Sequence, residues 1–187
     1  MKLIYKGKFN GDVDSIPHGE HKPGAVKFKE PEDPKKLGIL ANSIAIVIVF
    51  ISLFGVILRS GIKSFGITGV FLSYLTIFPH EIIHAICFKN NVYLYTNLKN
   101  GMLFVTGPED MSKGRFIFMS LLPNIVFGFM PYILFMINPQ WKILGGLGAM
   151  CMSMGAGDYI NCFNAITQMP KGARTYIYGF NSYWYMT

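Results

Sequence analysis

Four long apolar stretches run through the chain, at residues 37–58, 66–88, 116–137 and 143–166. A helix that crosses a bilayer needs about 20 apolar residues, so each stretch is long enough to span one. The first and third stretches contain no charged residue. The pattern therefore predicts an all-α membrane protein with about four transmembrane helices.

The second and fourth stretches differ because polar side chains interrupt them. The second contains His80, Glu81 and His84, and the fourth contains Asp158 and Asn161. Such side chains are costly when they face lipid, so we expect them to point into the helix bundle. A functional site is therefore expected between these two helices.

The remaining residues divide the chain into three parts. Residues 1–36 form a polar N-terminal segment with 14 charged residues, in which Lys2–Tyr5 and Ala25–Phe28 have the composition of short strands. Residues 37–170 form the membrane domain. Residues 171–187 form a tail rich in Tyr, a residue typical of the headgroup interface of a bilayer.

A small β-hairpin is predicted at residues 92–106, between the second and third helices. Val92–Thr96 and Met102–Thr106 are rich in β-branched and aromatic residues. Asn100-Gly101 lies between them and is a strong hairpin-turn signal. We expect the hairpin to lie at the cytoplasmic membrane surface, where it serves either as a structural cap or as an edge strand that binds substrate.

The distribution of basic residues predicts the orientation in the membrane. The N-terminal segment, the loop 89–115 and the C-terminus hold 8, 4 and 2 basic residues, against 2 and 1 in the loops 59–65 and 138–142. Both termini are therefore expected in the cytoplasm, with the chain as a multi-pass protein of the cell membrane. The first apolar stretch begins only after 36 residues, so no cleavable signal peptide is expected.

The net charge of +7 does not require a nucleic acid partner. Membrane orientation and contact with anionic lipid headgroups account for it. The expected partners are membrane lipid and a membrane-protein or peptide substrate.

His80-Glu81-Ile82-Ile83-His84 has the spacing of a zinc-binding motif. Residues four apart on a helix lie on the same face, so both imidazoles can bind one Zn²⁺ ion. Glu81 lies about 100° around the helix from His80, where its carboxylate can accept a proton as a general base. Zinc lowers the pKa of its water to about 7, which suits hydrolysis at neutral pH.

A catalytic zinc site needs a third protein ligand. Asp158 is the leading candidate, because a lone carboxylate in an apolar helix needs a cation, although a protonated structural role stays open. His18 and His21 lie in a polar segment and are expected to be solvated. Glu109 and Asp110 lie in a loop where charges are ordinary.

Two asparagines are further candidates near the site. Asn161 lies three residues after Asp158 on the same helical face, where it can orient that carboxylate or a substrate carbonyl. Asn124 follows Pro123 in the third helix and is a candidate oxyanion or substrate contact. Ordinary interhelical hydrogen bonding is the alternative for both.

The motif at residues 80–84, together with Gly157-Asp158 in a later helix, resembles the zincin peptidase family of membrane proteins, relatives of the site-2 proteases. Met1–Phe9, Gly24–Pro31 and Gly157–Pro170 are also similar to that family. The resemblance implies zinc held by His80, His84 and Asp158, with Glu81 as the base, and a bacterial source. Site-2 proteases present their aspartate as Leu-Asp-Gly, whereas this chain has Gly157-Asp158-Tyr159.

The expected function is that of an intramembrane zinc metallopeptidase that cleaves membrane-associated substrates. The alternative is a non-catalytic zinc-binding membrane protein, such as a sensor, an accessory protein or a degenerate peptidase. The presence of Glu81 favours the enzyme, because metal binding alone does not need a carboxylate at that position.

Overall fold

The fold combines a bundle of helices with two β-sheets. The computed structural model describes residues 1–62, 66–97 and 102–187. Within these residues the helices are α1 (Pro34–Ser60), α2 (Ile67–Leu75), α3 (Ile77–Ile86), α4 (Lys113–Asn124), α5 (Met130–Ile137), α6 (Lys142–Met154) and α7 (Ala156–Gln168). The strands are β1 (Lys2–Lys8), β2 (Val26–Lys27), β3 (Asn91–Asn97), β4 (Met102–Thr106), β5 (Met111–Ser112), β6 (Arg174–Tyr178) and β7 (Asn181–Tyr185). A π-helical segment, Ile125–Phe129, joins α4 to α5.

The predicted class, all-α with a small hairpin and short N-terminal strands, is confirmed in part. The fold is mixed rather than purely all-α, because strands make up 18% of the chain beside 56% helix and form two sheets. The N-terminal strands β1 and β2 lie where the sequence predicts them. β3 and β4 pair antiparallel as the expected hairpin, and the predicted Asn100-Gly101 turn lies outside the described residues. The sequence does not predict β6 and β7, because alternating aromatics are typical of strands as well as of a membrane interface.

The prediction of membrane-spanning helices is confirmed, although in smaller number. In the described ranges, two helices are long and apolar enough to cross a membrane, α1 and the continuous helix Lys113–Ile137. α2 and α3 are bent by 48° and would add a third if they form one span. The predicted fourth span at residues 143–166 is divided at Gly155 into α6 and α7, of 13 residues each.

Helix α1 has clear sequence signals at both ends. The Asp33 side chain accepts a hydrogen bond from the backbone N–H of Lys35, and Pro34 occupies the first helical turn, where its missing N–H costs nothing. Gly61 ends the helix with a φ of 76°, a conformation that glycine adopts at little cost.

Glycine allows α6 to lie at the centre of the bundle, packed against α1, α2 and α5. A Cβ atom on Gly69 would overlap the backbone of Ile143, and one on Gly146 would overlap the carbonyl oxygen of Gly66. The backbones of α2 and α6 are therefore in direct contact, as small residues permit in membrane helices. Since α2 leads into α3, this contact fixes the position of the helix that carries the histidine motif.

The two sheets gather three separate segments of the chain. The first has the strand order β1-β3-β4, and the second has the order β2-β7-β6-β5. The N-terminal segment supplies β1 and β2, the loop after α3 supplies β3 to β5, and the C-terminal tail supplies β6 and β7. A common core that includes Phe28, Val92 and Met111 packs between the sheets and the ends of the helices. The three segments that the sequence predicts on one side of the membrane thus lie together.

A partly buried ion pair fastens the loop that follows α3. Glu109 accepts hydrogen bonds from the backbone N–H groups of Lys89 and Asn90, at 2.7 and 2.9 Å, and pairs with Arg115. Arg115 also donates to the carbonyl oxygen of Cys87, just beyond the end of α3. Burial alone would raise the pKa of the Glu109 carboxyl, but the donors from Asn90, Arg115 and Lys89 outweigh it and hold that pKa below its usual value. This clasp ties the end of α3 to the start of α4.

We expect acid to weaken the clasp. A carboxyl group whose pKa is lowered by folding stabilises the protein fully above its unfolded value, here about 4.5, and loses that contribution as the pH falls through the folded pKa. Glu109→Gln should lower the free energy of unfolding at neutral pH by about 1.5–3 kcal/mol, and the difference from wild type should shrink below about pH 4.5. Thermal unfolding of detergent-solubilised protein across this pH range measures it.

Glu32→Gln is the matched control, because the Glu32 side chain is 82% exposed and pairs only with Lys27 among the described residues. It should unfold like wild type. A Glu109→Gln protein that unfolds at the wild-type temperature at neutral pH would contradict the role of the clasp.

Candidate metal centre

The break before α3 explains how the motif helix accommodates Pro79. The Thr76 hydroxyl donates to the carbonyl oxygen of Ser73 at 2.7 Å, and a new helix begins at Ile77. Pro79 then falls in the first turn, where a backbone N–H has no partner within the helix. The regular helical hydrogen bonds resume at His80, whose backbone N–H donates to the carbonyl oxygen of Thr76 at 2.8 Å.

The two motif histidines converge on one point. Their Nε2 atoms lie 3.1 Å apart, and their side chains are 12% and 10% exposed. The spacing of four residues places His80 and His84 one turn apart on the same face of α3. Two imidazole nitrogens therefore face the same small volume and could bind one metal ion.

Asp158 on α7 completes the cluster from across the bundle. Its Oδ2 atom lies 3.2 Å from Nε2 of His80, and its Oδ1 atom lies 3.2 Å from Nε2 of His84. One carboxylate thus lies between both imidazoles. A charge in this position needs a proton or a cation shared with the rings.

A main-chain contact sets the tautomer of His84. Its Nδ1 atom lies 2.9 Å from the carbonyl oxygen of Met119. A carbonyl oxygen only accepts, so Nδ1 carries the hydrogen and donates it. In the neutral ring the lone pair is then on Nε2, which faces His80 and Asp158. Metal-binding histidines are oriented in this way by a second hydrogen bond.

The cluster fits a zinc ion. A tetrahedral ion with bonds of about 2.0–2.1 Å separates its ligand atoms by about 3.3 Å. The contacts among His80, His84 and Asp158 are 3.1 and 3.2 Å. Glu81 also lies near, since ligand atoms of His80, Glu81 and His84 all lie within 4.8 Å of one another. The Asp158 oxygens lie 3.2 Å from the two nitrogens, and the role of Asp158 as the third ligand stays a prediction.

The Glu81 carboxylate is held by a hydrogen bond from the first sheet rather than by the helices. Its Oε2 atom accepts a hydrogen bond from the backbone N–H of Val105 in β4, at 3.0 Å. This bond occupies one carboxylate oxygen and leaves Oε1 for other contacts. Glu81 therefore lies between the histidines and the edge of the first sheet.

Asn124 touches the cluster from α4. Its Nδ2 group donates to Oδ2 of Asp158 at 2.7 Å, and the residue is completely buried. This is a hydrogen bond between α4 and α7, the alternative that the sequence offers for Asn124. A contact of Asn124 with a substrate or an oxyanion stays a prediction.

A cavity of about 330 Å³ opens over the cluster. The helices contribute His80, Glu81, His84, Asp158 and Asn161 to its lining, β4 contributes Phe104, Val105 and Thr106, and the C-terminal hairpin contributes Phe180 and Ser182. Glu30 lines the cavity from the N-terminal segment. It accepts hydrogen bonds from Asn164, Asn181 and the N–H of Ser182. The N-terminal segment, the helices α3 and α7, the strand β4 and the C-terminal hairpin thus meet at this space.

The other predicted ligand candidates lie elsewhere. His18 and His21 both contact the ring of Tyr178. Glu109 belongs to the clasp with Arg115, and Asp110 pairs with Arg174 in the second sheet. The structure therefore brings none of these four residues to the histidine cluster.

Sequence reasoning does not single out Val105, Met119 or Glu30. The first two act through main-chain groups, which leave no mark in the sequence. Glu30 lies within Gly24–Pro31, a segment that carries the family resemblance, and this is the only signal that points to it.

A family model described as "Putative zincin peptidase" matches residues 73–174, a little more than half of the chain. The chain belongs to this zincin peptidase family. Comparisons with curated proteins and with solved structures find no match. The family match covers α3, α4 and α7, so all the residues of the cluster lie within it. Zinc is accordingly the metal that the zincin family implies.

We expect the protein to bind about one zinc ion per chain, because the nitrogen and oxygen atoms of the cluster have the separation that a tetrahedral zinc ion requires. His80→Ala and Asp158→Ala should each lose the ion during purification, because each removes one of three ligands. His18→Ala should retain it, since His18 contacts Tyr178 instead. Metal analysis of detergent-purified protein measures the content. Retention of zinc by Asp158→Ala would contradict its assignment and favour Glu81 as the third ligand.

Proposed function

We propose that the protein is an intramembrane zinc metallopeptidase that cleaves peptide bonds of membrane-associated proteins or peptides. The observation that carries this proposal is the Asp158 carboxylate, which lies 3.2 Å from both motif imidazoles with Glu81 beside them. Membership of the zincin family supports the class of reaction.

His80, His84 and Asp158 would hold the ion. When bound, zinc acts as a Lewis acid that polarises the peptide carbonyl and acidifies water. The surrounding helices exclude most solvent, since the three side chains are between 10% and 15% exposed. Electrostatic interactions are stronger in such a site than in water.

Glu81 is the proposed general base. With Oε2 held by the N–H of Val105, Oε1 takes a proton from the attacking water and delivers it to the leaving amine nitrogen. The hydrogen bond from β4 fixes the direction of the carboxylate before substrate arrives. Such preorganisation is what a catalytic base needs.

Among the strands of the described residues, none pairs with the second edge of β4, and this edge is the proposed site for an extended substrate. β4 is at one end of the strand order β1-β3-β4, whereas β3 lies in the middle and offers no free edge. Because the N–H of Val105 points to Glu81, alternation along the strand also directs the N–H and C=O of Leu103 away from β3. A peptide can add to this edge beside the catalytic base.

The ligand arrangement supports a relation to the site-2 proteases, which the sequence resemblance implies. In both, two histidines of one helix and an aspartate of a later helix are the proposed ligands. Two or three membrane-spanning helices and the excess of basic residues beside the sheets support a location in the cell membrane with both termini in the cytoplasm.

We expect Glu81→Gln to abolish peptide hydrolysis and to retain zinc. The amide is nearly the same size as the carboxylate but cannot accept the proton, and loss of general-base catalysis costs about 10²–10⁴-fold in rate. Turnover of a reporter substrate in proteoliposomes, together with metal analysis of the same sample, measures both properties.

The same variant separates the enzyme from a non-catalytic zinc protein. Hydrolysis that survives in Glu81→Gln at the wild-type rate would contradict the mechanism. A wild-type protein that binds zinc and cleaves no membrane substrate would favour a sensor or accessory role.

Leu103→Pro tests the substrate edge. Proline removes the outward N–H and is tolerated on the open side of an edge strand, so KM should rise while kcat and zinc content stay near wild type. Steady-state kinetics on the reporter substrate measure this difference. Phe104→Pro is the control, because its N–H faces β3 and its loss should destabilise the sheet. An unchanged KM in Leu103→Pro would contradict binding at this edge.

A further inference from the structure

Asn124 is a fully buried amide beside the proposed zinc site. Its Nδ2 group donates to Oδ2 of Asp158 at 2.7 Å and to the carbonyl oxygen of Ser120 at 3.1 Å. Neither acceptor can donate when the carboxylate is ionised, so both amide hydrogens are used and the orientation of the amide is fixed. Within the described residues, its bond to Asp158 is shorter than either contact that Asp158 makes with a histidine.

The backbone around Asn124 departs from a regular helix. Pro123 lies inside α4 and lacks an N–H group, and the π-helical segment Ile125–Phe129 begins directly afterwards. π-helical turns inside longer helices occur frequently at functional sites. The regular repeat of α4 therefore ends at the residue that contacts Asp158.

Gly155 provides the space that the amide occupies. A Cβ atom at residue 155 would overlap the side-chain oxygen and Cγ of Asn124. Gly155 is also the residue at which α6 ends and α7 begins. The amide of Asn124 thus packs against Gly155, where the chain turns from α6 into α7. It also donates a hydrogen bond to the carboxylate of Asp158, three residues later on α7.

We propose that Asn124 is a positioning residue that holds Asp158 in the orientation required for zinc binding. The inference rests on the proposed zinc site. By fixing Oδ2, the amide keeps the carboxylate rotated so that each oxygen faces one imidazole. Without it the carboxylate is free to turn, and part of the binding free energy is lost in ordering it again. Residues that orient a metal ligand in this way change affinity by about 10–100-fold.

A purely structural role for Asn124, as an interhelical hydrogen bond, predicts a different effect of its removal. If Asn124 only stabilised the bundle, its removal would lower the unfolding temperature and leave the zinc dissociation constant of the folded protein unchanged. The zinc dissociation constant therefore separates the two roles.

The experiment titrates zinc into metal-depleted, detergent-purified full-length protein against a chromogenic chelator. Asn124→Ala should raise the zinc dissociation constant by about 10–100-fold. Asn124→Ser should do the same, because a serine hydroxyl can bond the carbonyl of its own helix but is too short to reach Asp158. Asn164→Ala is the matched control. Asn164 is also a buried asparagine, on the same helix as Asp158, but it bonds Glu30 and should leave the constant within about twofold of wild type.

A double-mutant cycle identifies the route of the effect. In an Asp158→Ala background, Asn124→Ala should cost no further affinity, because the carboxylate that it positions is gone. The d–d absorption of the Co²⁺-loaded protein should also change in Asn124→Ser and stay as in wild type in Asn164→Ala.

The inference is overturned if Asn124→Ala and Asn124→Ser bind zinc as tightly as wild type. It is also overturned if Asn124→Ala costs as much in the Asp158→Ala background as in wild type. A wild-type protein that binds no zinc would overturn the proposed function and this inference together, whereas the first two outcomes leave the proposed function standing.

Discussion

A carboxylate placed between two imidazoles in an apolar bundle is the constraint on which the rest of the fold depends. Transfer of an isolated charge into such an interior is costly unless partners surround it. The partners of Asp158 come from α3, through His80 and His84, and from α4, through Asn124. Three helices must therefore be held in register, and the glycine contacts between α2 and α6 supply part of that rigidity.

Both the apolar helix bundle and the more polar sheets contribute side chains to the site. Glu81 lies in a helix, but its carboxylate is bonded to a strand through Val105. Glu30 lies before α1 and joins α7 to the C-terminal hairpin through Asn164 and Ser182. Burial raises the pKa of Glu30 despite these donors. The polar segments of the chain thus form the roof of a cavity whose floor is within the bundle.

The local parts of this site are predictable from the sequence, and the long-range parts are not. The spacing of His80 and His84 is a property of one helix, and Asp158 stands out as a lone charge in an apolar stretch. The division of the fourth apolar stretch at Gly155 could not be predicted locally. Residue 155 lacks a side chain because the amide of Asn124, which is distant in sequence, occupies that space. The pairing of Val105 with Glu81 depends on the placement of a hairpin edge, which no residue pattern records. Alternating aromatics in the tail were ambiguous between a strand and a membrane interface.

The contacts around the site differ in how sequence change can affect them. The carbonyl of Met119 and the N–H of Val105 belong to the main chain, so most substitutions at residues 119 and 105 leave these bonds in place. Asn124 and Gly155 form a pair of the opposite kind, in which an amide fills the space that a missing side chain leaves. A side chain at residue 155 would require a smaller side chain at residue 124, because a Cβ atom there would overlap the amide. During divergence these two positions are therefore expected to vary together, although they lie 31 positions apart in the sequence.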